Sequence, residues 1–211
     1  MLKRKKEFNR LKIVGFSFIL LGLCILTYKL SIYINDNYKE SNLKREFFNN
    51  YQELTETNQS NLDNTTESTI QNSEENKSSK YIAIIKIPKI KLEKGFFGKD
   101  SYLNNVNRNI EILDDSDMPD KAKGNVILAA HSGNSKVSFF RNLHKLEKND
   151  SISIFYQGSE YKYKIVNIYD IPKTGTAKIK RNIDKSTLTL ITCRQGTDSQ
   201  IIIISELVEK G

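Results

Sequence analysis

The chain has 211 residues, a formal net charge of +8, two histidines and only two cysteines, Cys24 and Cys193. So few cysteines and histidines argue against a disulfide framework and a His-rich metal site, and no other metal or cofactor motif occurs. The basic side chains are scattered singly rather than gathered into a stripe, so we expect no nucleic-acid binding and no cofactor.

The N-terminus combines a basic tail, residues 1–12, with an apolar stretch over residues 13–34. As a helix rising about 1.5 Å per residue, this stretch would span about 33 Å, close to the hydrocarbon thickness of a bilayer. It lacks the small-residue pattern of a cleavage site, which favours an uncleaved single-pass anchor over a cleaved signal peptide. The basic tail predicts a cytoplasmic N-terminus with the remaining chain outside the cell.

Residues 35–79 are predicted to be a juxtamembrane segment and a flexible stalk. Five large apolar side chains in the first part recur at roughly helical spacing, which indicates a short helix: Leu43, Phe47, Phe48, Tyr51 and Leu54. The run that follows is rich in Asn, Ser, Thr and Glu and cannot bury enough apolar surface to offset the entropy of ordering. It is therefore predicted to be a coil.

Residues 80–211 have the pattern of an all-β domain. Short β-branched runs are separated by turn signals, and a two-residue turn at Gln157-Gly158 joins two of them as a hairpin. Residues 138–146 are the best candidate for a short helix or turn between strands. The pattern predicts a closed barrel of seven to eight strands with short helices, its strands falling at 81–92, 125–132, 151–158, 160–172, 186–193 and 200–208.

Cys193 and His131 each follow a predicted core strand and could form a nucleophile pair. A thiol becomes a strong nucleophile only as the thiolate, and a nearby imidazole can take its proton. Taken singly, a strand cysteine is more often a small buried apolar residue, and a histidine after a strand is more often a polar residue with ordinary partners. His144 lies between leucines and is interpreted as packing.

The segment TLITC, residues 189–193, resembles the TLxTC signature of sortases, the cysteine transpeptidases that attach proteins to Gram-positive cell walls. The resemblance extends to NVILAAHSGN, residues 125–134, which is similar to the strand that leads to the family's active-site histidine. It covers about 120 residues in the expected order, from IKIPKIKL at residue 85 onward. Ala130 stands where the family often has Gly.

The resemblance implies an eight-stranded barrel that cleaves a Leu-Pro-x-Thr-Gly-like sorting signal between Thr and Gly. Cys193 would form the thioacyl intermediate, and His131 would protonate the leaving amine and deprotonate the incoming one. The expected partners are secreted proteins with a C-terminal sorting signal and an acceptor amine of a peptidoglycan precursor or a pilin lysine. The short basic segment from Ile171 to Thr187 and the lack of a C-terminal span predict a class A- or D-like enzyme.

Sortases normally carry an Arg on the strand after the cysteine, and in this chain Gln200 stands in that slot. A Gln amide can donate two hydrogen bonds but has no charge. We therefore assign Gln200 and Arg194 tentative roles in oxyanion stabilisation or substrate positioning, with Arg181 as a third candidate. The missing Arg also supports an alternative, a membrane-tethered binding module without turnover. A generic thiol hydrolase is a further alternative.

Overall fold

The computed structural model describes residues 2–60, 79–173 and 178–211. They divide into two compact units, Met1–Asn42 and Leu43–Gly211. The first unit is part of one long helix, α1, which runs from Leu2 to Ser60. Each unit is considered separately below.

Within the described residues, one helical stretch, Gly15–Glu56, is long and apolar enough to cross a membrane. Its large apolar side chains between residues 16 and 34 are exposed, for example Phe16 at 66% and Leu26 at 66%. A helix that exposes apolar side chains to this extent suits a lipid environment better than water. The helix is therefore a candidate transmembrane helix in the predicted place.

The helix expected in the first part of residues 35–79 is present, and it is continuous with the apolar stretch because α1 runs on to Ser60. Phe47 is 92% buried and packs in one cluster with Tyr81, Ile84 and Phe97 of the second unit. These apolar contacts make the helix from Leu43 onward part of the folded domain, which begins well before residue 80. The remaining stalk residues, 61–78, lie outside the described residues.

The second unit's sheet has eight strands: β1 Ala83–Ile87, β2 Leu92–Phe96, β3 Glu111–Ile112, β4 Asn125–Ala129, β5 Ser151–Tyr156, β6 Ser159–Pro172, β7 Thr187–Cys193 and β8 Ser199–Lys210. Their order in the sheet is β2-β1-β5-β6-β8-β7-β4-β3. The sheet curls into a nearly closed barrel, in which Asn109 Nδ2, just before the edge strand β3, donates a hydrogen bond of 3.0 Å to Gly95 O of the other edge strand, β2. The all-β barrel prediction is confirmed.

One local prediction is corrected. The run 81–92 is not one strand, because Pro88–Ile90 forms a 3-10 turn that folds β2 back against β1. Proline lacks the N–H that a continuous strand would need, and Lys91 adopts φ 53°, which reverses the chain. The segment 138–146, predicted to be a short helix or turn, contains the 3-10 turn Leu143–Lys145. The hairpin at Gln157-Gly158 is confirmed by the β5–β6 pairing.

The strands β4, β7 and β8 carry apolar side chains on both faces. Alternate residues enter the barrel interior, where Leu128, Leu190 and Ile203 are completely buried. The intervening residues form a second cluster on the other face, which we call the outer cluster. Its buried members are Ile127, Ile191, Ile202 and Ile204, and its partly buried members are Leu113, Ala129, Tyr169, Ile171 and Ile179.

The pairing of β4 with β7 is parallel, and side-chain hydrogen bonds fix its register at the start of both strands. Asn125 Oδ1 accepts a hydrogen bond of 2.9 Å from Thr187 Oγ1 and another of 2.9 Å from Thr189 Oγ1. Asn125 lies directly opposite Thr187 in the register. All three side chains are buried, so a shifted register would leave buried polar groups without partners.

Candidate active site

His131 lies just after the end of β4 and Cys193 is the last residue of β7, at the same end of these two neighbouring parallel strands. In the register of β4 with β7, Ala129 lies opposite Ile191. His131 comes two positions after Ala129, and Cys193 comes two positions after Ile191. Parallel neighbours lie about 4.8 Å apart and alternate their side-chain directions in step. The fold therefore brings the two residues together at one rim of the barrel.

Two hydrogen bonds keep the chain beside β7 after β4 ends. Ala130 N donates to Ile191 O at 3.3 Å. In the other direction, Thr192 Oγ1 donates to Ala130 O at 2.6 Å. The buried Thr192 of the TLITC segment thus positions the residue that directly precedes His131.

The imidazole of His131 has a partner in a loop that sequence analysis did not single out. His131 Nε2 lies 3.0 Å from Asn107 Oδ1. A carbonyl oxygen only accepts, so Nε2 carries the proton in this contact and Nδ1 is the ring nitrogen left to exchange one. The backbone oxygen of His131 also accepts a hydrogen bond of 3.0 Å from Phe140 N.

Cys193 and Gln200 are direct cross-strand partners in the β7–β8 pair. Arg194 N donates to Ser199 O at 2.9 Å, so the neighbouring pair of residues is the hydrogen-bonded one. The pair of Cys193 and Gln200 is then of the non-hydrogen-bonded type, in which Cβ atoms approach to about 4.5–5.5 Å. Both side chains are half-buried and extend from the face that carries Ile191 and Ile202.

Arg194 is on the opposite face, as alternation along the strand requires. Its Nη2 donates to Asp170 Oδ1 at 2.9 Å, and Asp170 lies opposite Ile201 in the β6–β8 register. Its Nε is buried and has no acceptor among the residues described. The charge of Arg194 is therefore paired with Asp170 rather than placed against the face of Cys193.

Arg181 lies far from Cys193. Its Nη1 donates to Lys123 O at 3.2 Å and to Thr187 Oγ1 at 3.5 Å. Thr187 begins β7 and Cys193 ends it, a separation of about 20 Å at 3.3 Å per residue. The candidate role of Arg181 at the reacting thiol is wrong.

A cavity of about 290 Å³ borders Cys193 on the side of Thr192 and Ile201. Its other walls come from the segment after His131 and from the β7–β8 turn. Gln195 Nε2 hydrogen bonds to Ser132 O and so joins these two walls. The lining residues are Ser132, Phe140, Arg141, His144, Thr192, Cys193, Arg194, Gln195 and Ile201.

Arg141 and His144 reach this cavity through tertiary packing that their sequence context does not reveal. Both belong to the segment expected to be a short helix or turn, and His144 was interpreted as packing. In the structure both are exposed, and His144 Nδ1 donates to Arg141 O at 3.0 Å. Their only signal in the sequence is that they follow His131 closely. In the described ranges, no group of three or more His, Cys, Asp or Glu side chains could hold a metal ion.

Comparison with known proteins agrees with this architecture. The family model of the Sortase domain matches residues 85–208. No curated protein sequence matches the chain.

Several solved structures are similar. Sortase A from Corynebacterium diphtheriae, as a lid mutant, is 25% identical with a TM-score of 0.54, covering 61% of this chain and 70% of that one. A Sortase D5 transpeptidase from Clostridium perfringens is 28% identical with a TM-score of 0.52, covering 66% and 91%. Sortase C-1 from Actinomyces oris shares the fold at 22% identity and a TM-score of 0.54, covering 78% and 99%. Since these structures come from three classes, the class of the chain stays a prediction. The family match extends over more than half of the sequence, and the chain therefore belongs to the sortase family.

Proposed function

We propose that the protein is a membrane-anchored thiol transpeptidase that cleaves a Leu-Pro-x-Thr-Gly-like sorting signal and transfers the acyl group to an amine. The proposal rests above all on one observation, the placement of His131 and Cys193 at the same rim of the β4–β7 pair. A nucleophile and a proton carrier on adjacent rigid strands fit acyl transfer.

In the first step, the thiolate of Cys193 attacks the carbonyl carbon of the signal's Thr. The C–N bond to Gly breaks, a thioester forms, and the leaving amine takes a proton from His131. In the second step, an acceptor amine attacks the thioester carbon and gives its proton to His131. The C–S bond breaks, and the sulfur leaves as the thiolate.

Gln200 is proposed as the neutral donor that replaces the guanidinium of other sortases. Its side chain extends from the same face as Cys193, directly across the strand pair. The amide NH₂ could donate to the oxygen of the tetrahedral intermediate, where a donor lowers the barrier most. Arg194 lies at the cavity wall, where it is proposed to help position the substrate, and its charge is offset by Asp170.

The test is acylation of the detergent-solubilised full-length chain with a panel of sorting-signal peptides, with and without an amine. Intact-mass spectrometry should detect a thioester adduct on Cys193 and, with amine present, a joined product. Cys193→Ala should abolish both. Cys24→Ala is the matched control, because Cys24 is the only other cysteine, and it should retain both. Joined product from the Cys193→Ala variant would refute the mechanism.

The apolar part of α1 is proposed as a single-pass anchor with the basic tail in the cytoplasm and the barrel outside. Protease added to intact protoplasts should release a fragment that contains the barrel, cut within residues 57–79. A barrel that is protected until the cells are lysed would reverse this topology. The connection from Pro172 to Thr187 supports a class A- or D-like enzyme, because it has no room for a long helical insertion.

The second candidate is a membrane-tethered binding module that keeps the barrel and has lost turnover. Gln200 favours it, because a neutral amide stabilises an oxyanion less than a guanidinium does. Wild-type protein that binds sorting peptides tightly but never acylates Cys193 would support this alternative and exclude the transpeptidase.

A further inference from the structure

We propose that the cavity beside Cys193 binds a carboxylate carried by the acceptor amine, so that the enzyme prefers acceptors whose attacking nitrogen lies near a free carboxylate. This inference rests on the proposed transpeptidase function and names the chemistry of its second substrate. The ligand class is an amino acid or amino-acid derivative that retains its carboxylate.

The charge of the cavity lining supports an anionic ligand. Its nine lining residues include Arg141, Arg194 and His144 and no Asp or Glu. Asp170 pairs with Arg194, whereas Arg141 has no carboxylate partner within the residues that the structure describes. A concave site with unbalanced positive charge attracts and retains anions.

Arg141 is held in place and keeps donors to spare. Its Nε donates to Gly133 O at 2.9 Å and its Nη2 to Ser135 O at 3.0 Å. A guanidinium has five N–H groups, so three are left for a ligand. These two bonds fix the guanidinium on the loop after His131, which lowers the entropy lost when it binds a carboxylate.

Arg194 and His144 add donors from two other directions. Arg194 Nε is buried and has no acceptor among the described residues, which is costly unless a ligand supplies one. His144 Nδ1 is occupied by Arg141 O at 3.0 Å, so its Nε2 can donate to a ligand when the ring is cationic. A carboxylate has enough lone pairs to accept from all three side chains.

The position of the cavity assigns the ligand to the acceptor rather than to the sorting peptide. Cys193 and Ser132, the residue after His131, both line it. An acceptor amine must reach His131 and the thioester on Cys193 together, so a group attached near that amine lies at the cavity's edge. The Leu-Pro part of a sorting peptide is apolar and fits the face of the outer cluster, which includes Ile191 and Ile202.

In the transfer, the acceptor nitrogen bonds to the thioester carbon as the C–S bond breaks. The amine's proton goes to His131, and the sulfur leaves as the Cys193 thiolate. The carboxylate does not react, and its contribution is to hold the nitrogen near the thioester carbon.

The test uses the full-length chain in detergent with two matched pairs of acceptors. Nα-acetyl-lysine and Nα-acetyl-lysinamide have ε-amines of equal basicity and differ in the carboxylate. Glycine and glycinamide place the carboxylate closer, and their KM values are compared per unprotonated amine. In at least one pair, the carboxylate form should have a KM about tenfold lower or more, as expected for charge-assisted hydrogen bonds. The advantage should shrink at high salt.

Arg141→Gln and His144→Gln should reduce this KM ratio toward one, and Arg141→Lys should restore part of it. Lys145→Gln is the matched control, an exposed cation on the same turn that does not line the cavity, and it should leave the ratio unchanged. Because the ratio compares two acceptors on one variant, a general loss of activity cancels.

Two failures are distinguishable. If Cys193 never becomes acylated, the proposed function fails first. If acylation and hydrolysis occur but, in both pairs, the acceptor with a carboxylate and its amide have equal KM values, only the carboxylate site is refuted. An Arg141→Gln variant that raises the KM of the sorting peptide and leaves the acceptor ratio intact would assign the cavity to the other substrate.

Discussion

Cys193 and Gln200 lie opposite each other in a non-hydrogen-bonded pair of β7 and β8. A neutral amide thus occupies the position at which sortases carry an arginine. In a non-hydrogen-bonded pair, the two side chains are as close as those of directly opposite strand residues can be. The relation is set by the backbone ladder, so it survives a change of the side chain. It makes Gln200 a position at which charge can be varied without moving the nucleophile.

We expect Gln200→Ala to lower the rate of Cys193 acylation by about 10²–10³, the usual cost of removing one oxyanion donor. Gln200→Arg should give a rate at or above that of the wild type, because it adds a charged donor. Single-turnover acylation followed by mass spectrometry measures both. Gln52→Ala, the same substitution at an exposed position of α1, is the control and should leave the rate unchanged. An unchanged rate in the Gln200→Ala variant would remove Gln200 from the site.

Asn107 is predicted to position His131 by accepting the hydrogen bond from Nε2. Asn107→Ala should lower kcat by about tenfold, because the ring loses the contact that fixes its orientation and tautomer. Asn107→Asp should recover most of the rate, because a carboxylate oxygen can accept the same bond. Steady-state kinetics check this. Equal loss in both variants would indicate a role for Asn107 in folding of the loop instead.

The helical segment from Leu43 to Ser60 is predicted to be necessary for a stable barrel. A chain that starts at residue 80 exposes Tyr81, Ile84 and Phe97, which otherwise bury against this helix. It should aggregate or melt well below a chain that starts at residue 43. A melting temperature equal to that of the longer chain would show that the helix contributes nothing.

A point substitution gives a finer test of the same contact. Phe47→Ala should destabilise the second unit by about 3–5 kcal/mol, as for other buried aromatic residues. Gln52→Ala, an exposed position on the same helix, should have little effect. Scanning calorimetry suits both, because the chain contains no Trp to serve as a fluorescent probe.

Asp117 is predicted to add stability that disappears in acid. Hydrogen bonds from Lys121 Nζ at 2.6 Å and from Asn125 N at 2.9 Å lower the pKa of Asp117. The stabilisation is complete above the unfolded pKa, about 3.9, and is lost as pH falls through the lower folded pKa. Asp117→Asn should therefore cost about 1–2 kcal/mol at pH 7 and progressively less below pH 4.

Calorimetric unfolding of Asp117→Asn and wild type across pH 2–7 measures this difference. Asp184→Asn is the control, because its carboxylate is 77% exposed in its ion pair with Lys123 and should contribute little at any pH. A constant difference between Asp117→Asn and wild type down to pH 2 would contradict the assignment.

The barrel could be predicted because local patterns carry it, whereas the proposed roles of His131 and Cys193 rest on the resemblance of two segments to a known family. The β-branched runs specify most strands, and the segments around His131 and Cys193 are short and contiguous. β2 and β3 were not predicted, since LEKGF has little alternation and Glu111–Ile112 is only two residues long. The helix from Leu43 was expected, but its packing on the barrel depends on contacts far apart in sequence.

The partners of the site residues could not be predicted for the same reason. Asn107 and Asp170 are polar residues in unremarkable contexts until the fold places them beside His131 and Arg194. The ion pair with Asp170 and the shared cavity with Arg141 depend on three segments that no local pattern connects.

Asn125 lies at the start of β4, and its two hydrogen bonds with threonines of β7 have a consequence at the far end of the strands. A slip of one residue in the parallel ladder would turn His131 to the face opposite Cys193. The alignment of His131 with Cys193, the proposed proton carrier and nucleophile, is thus secured by a buried amide about 20 Å away. The proposed activity therefore depends on Asn125 although this residue lies far from the thiol.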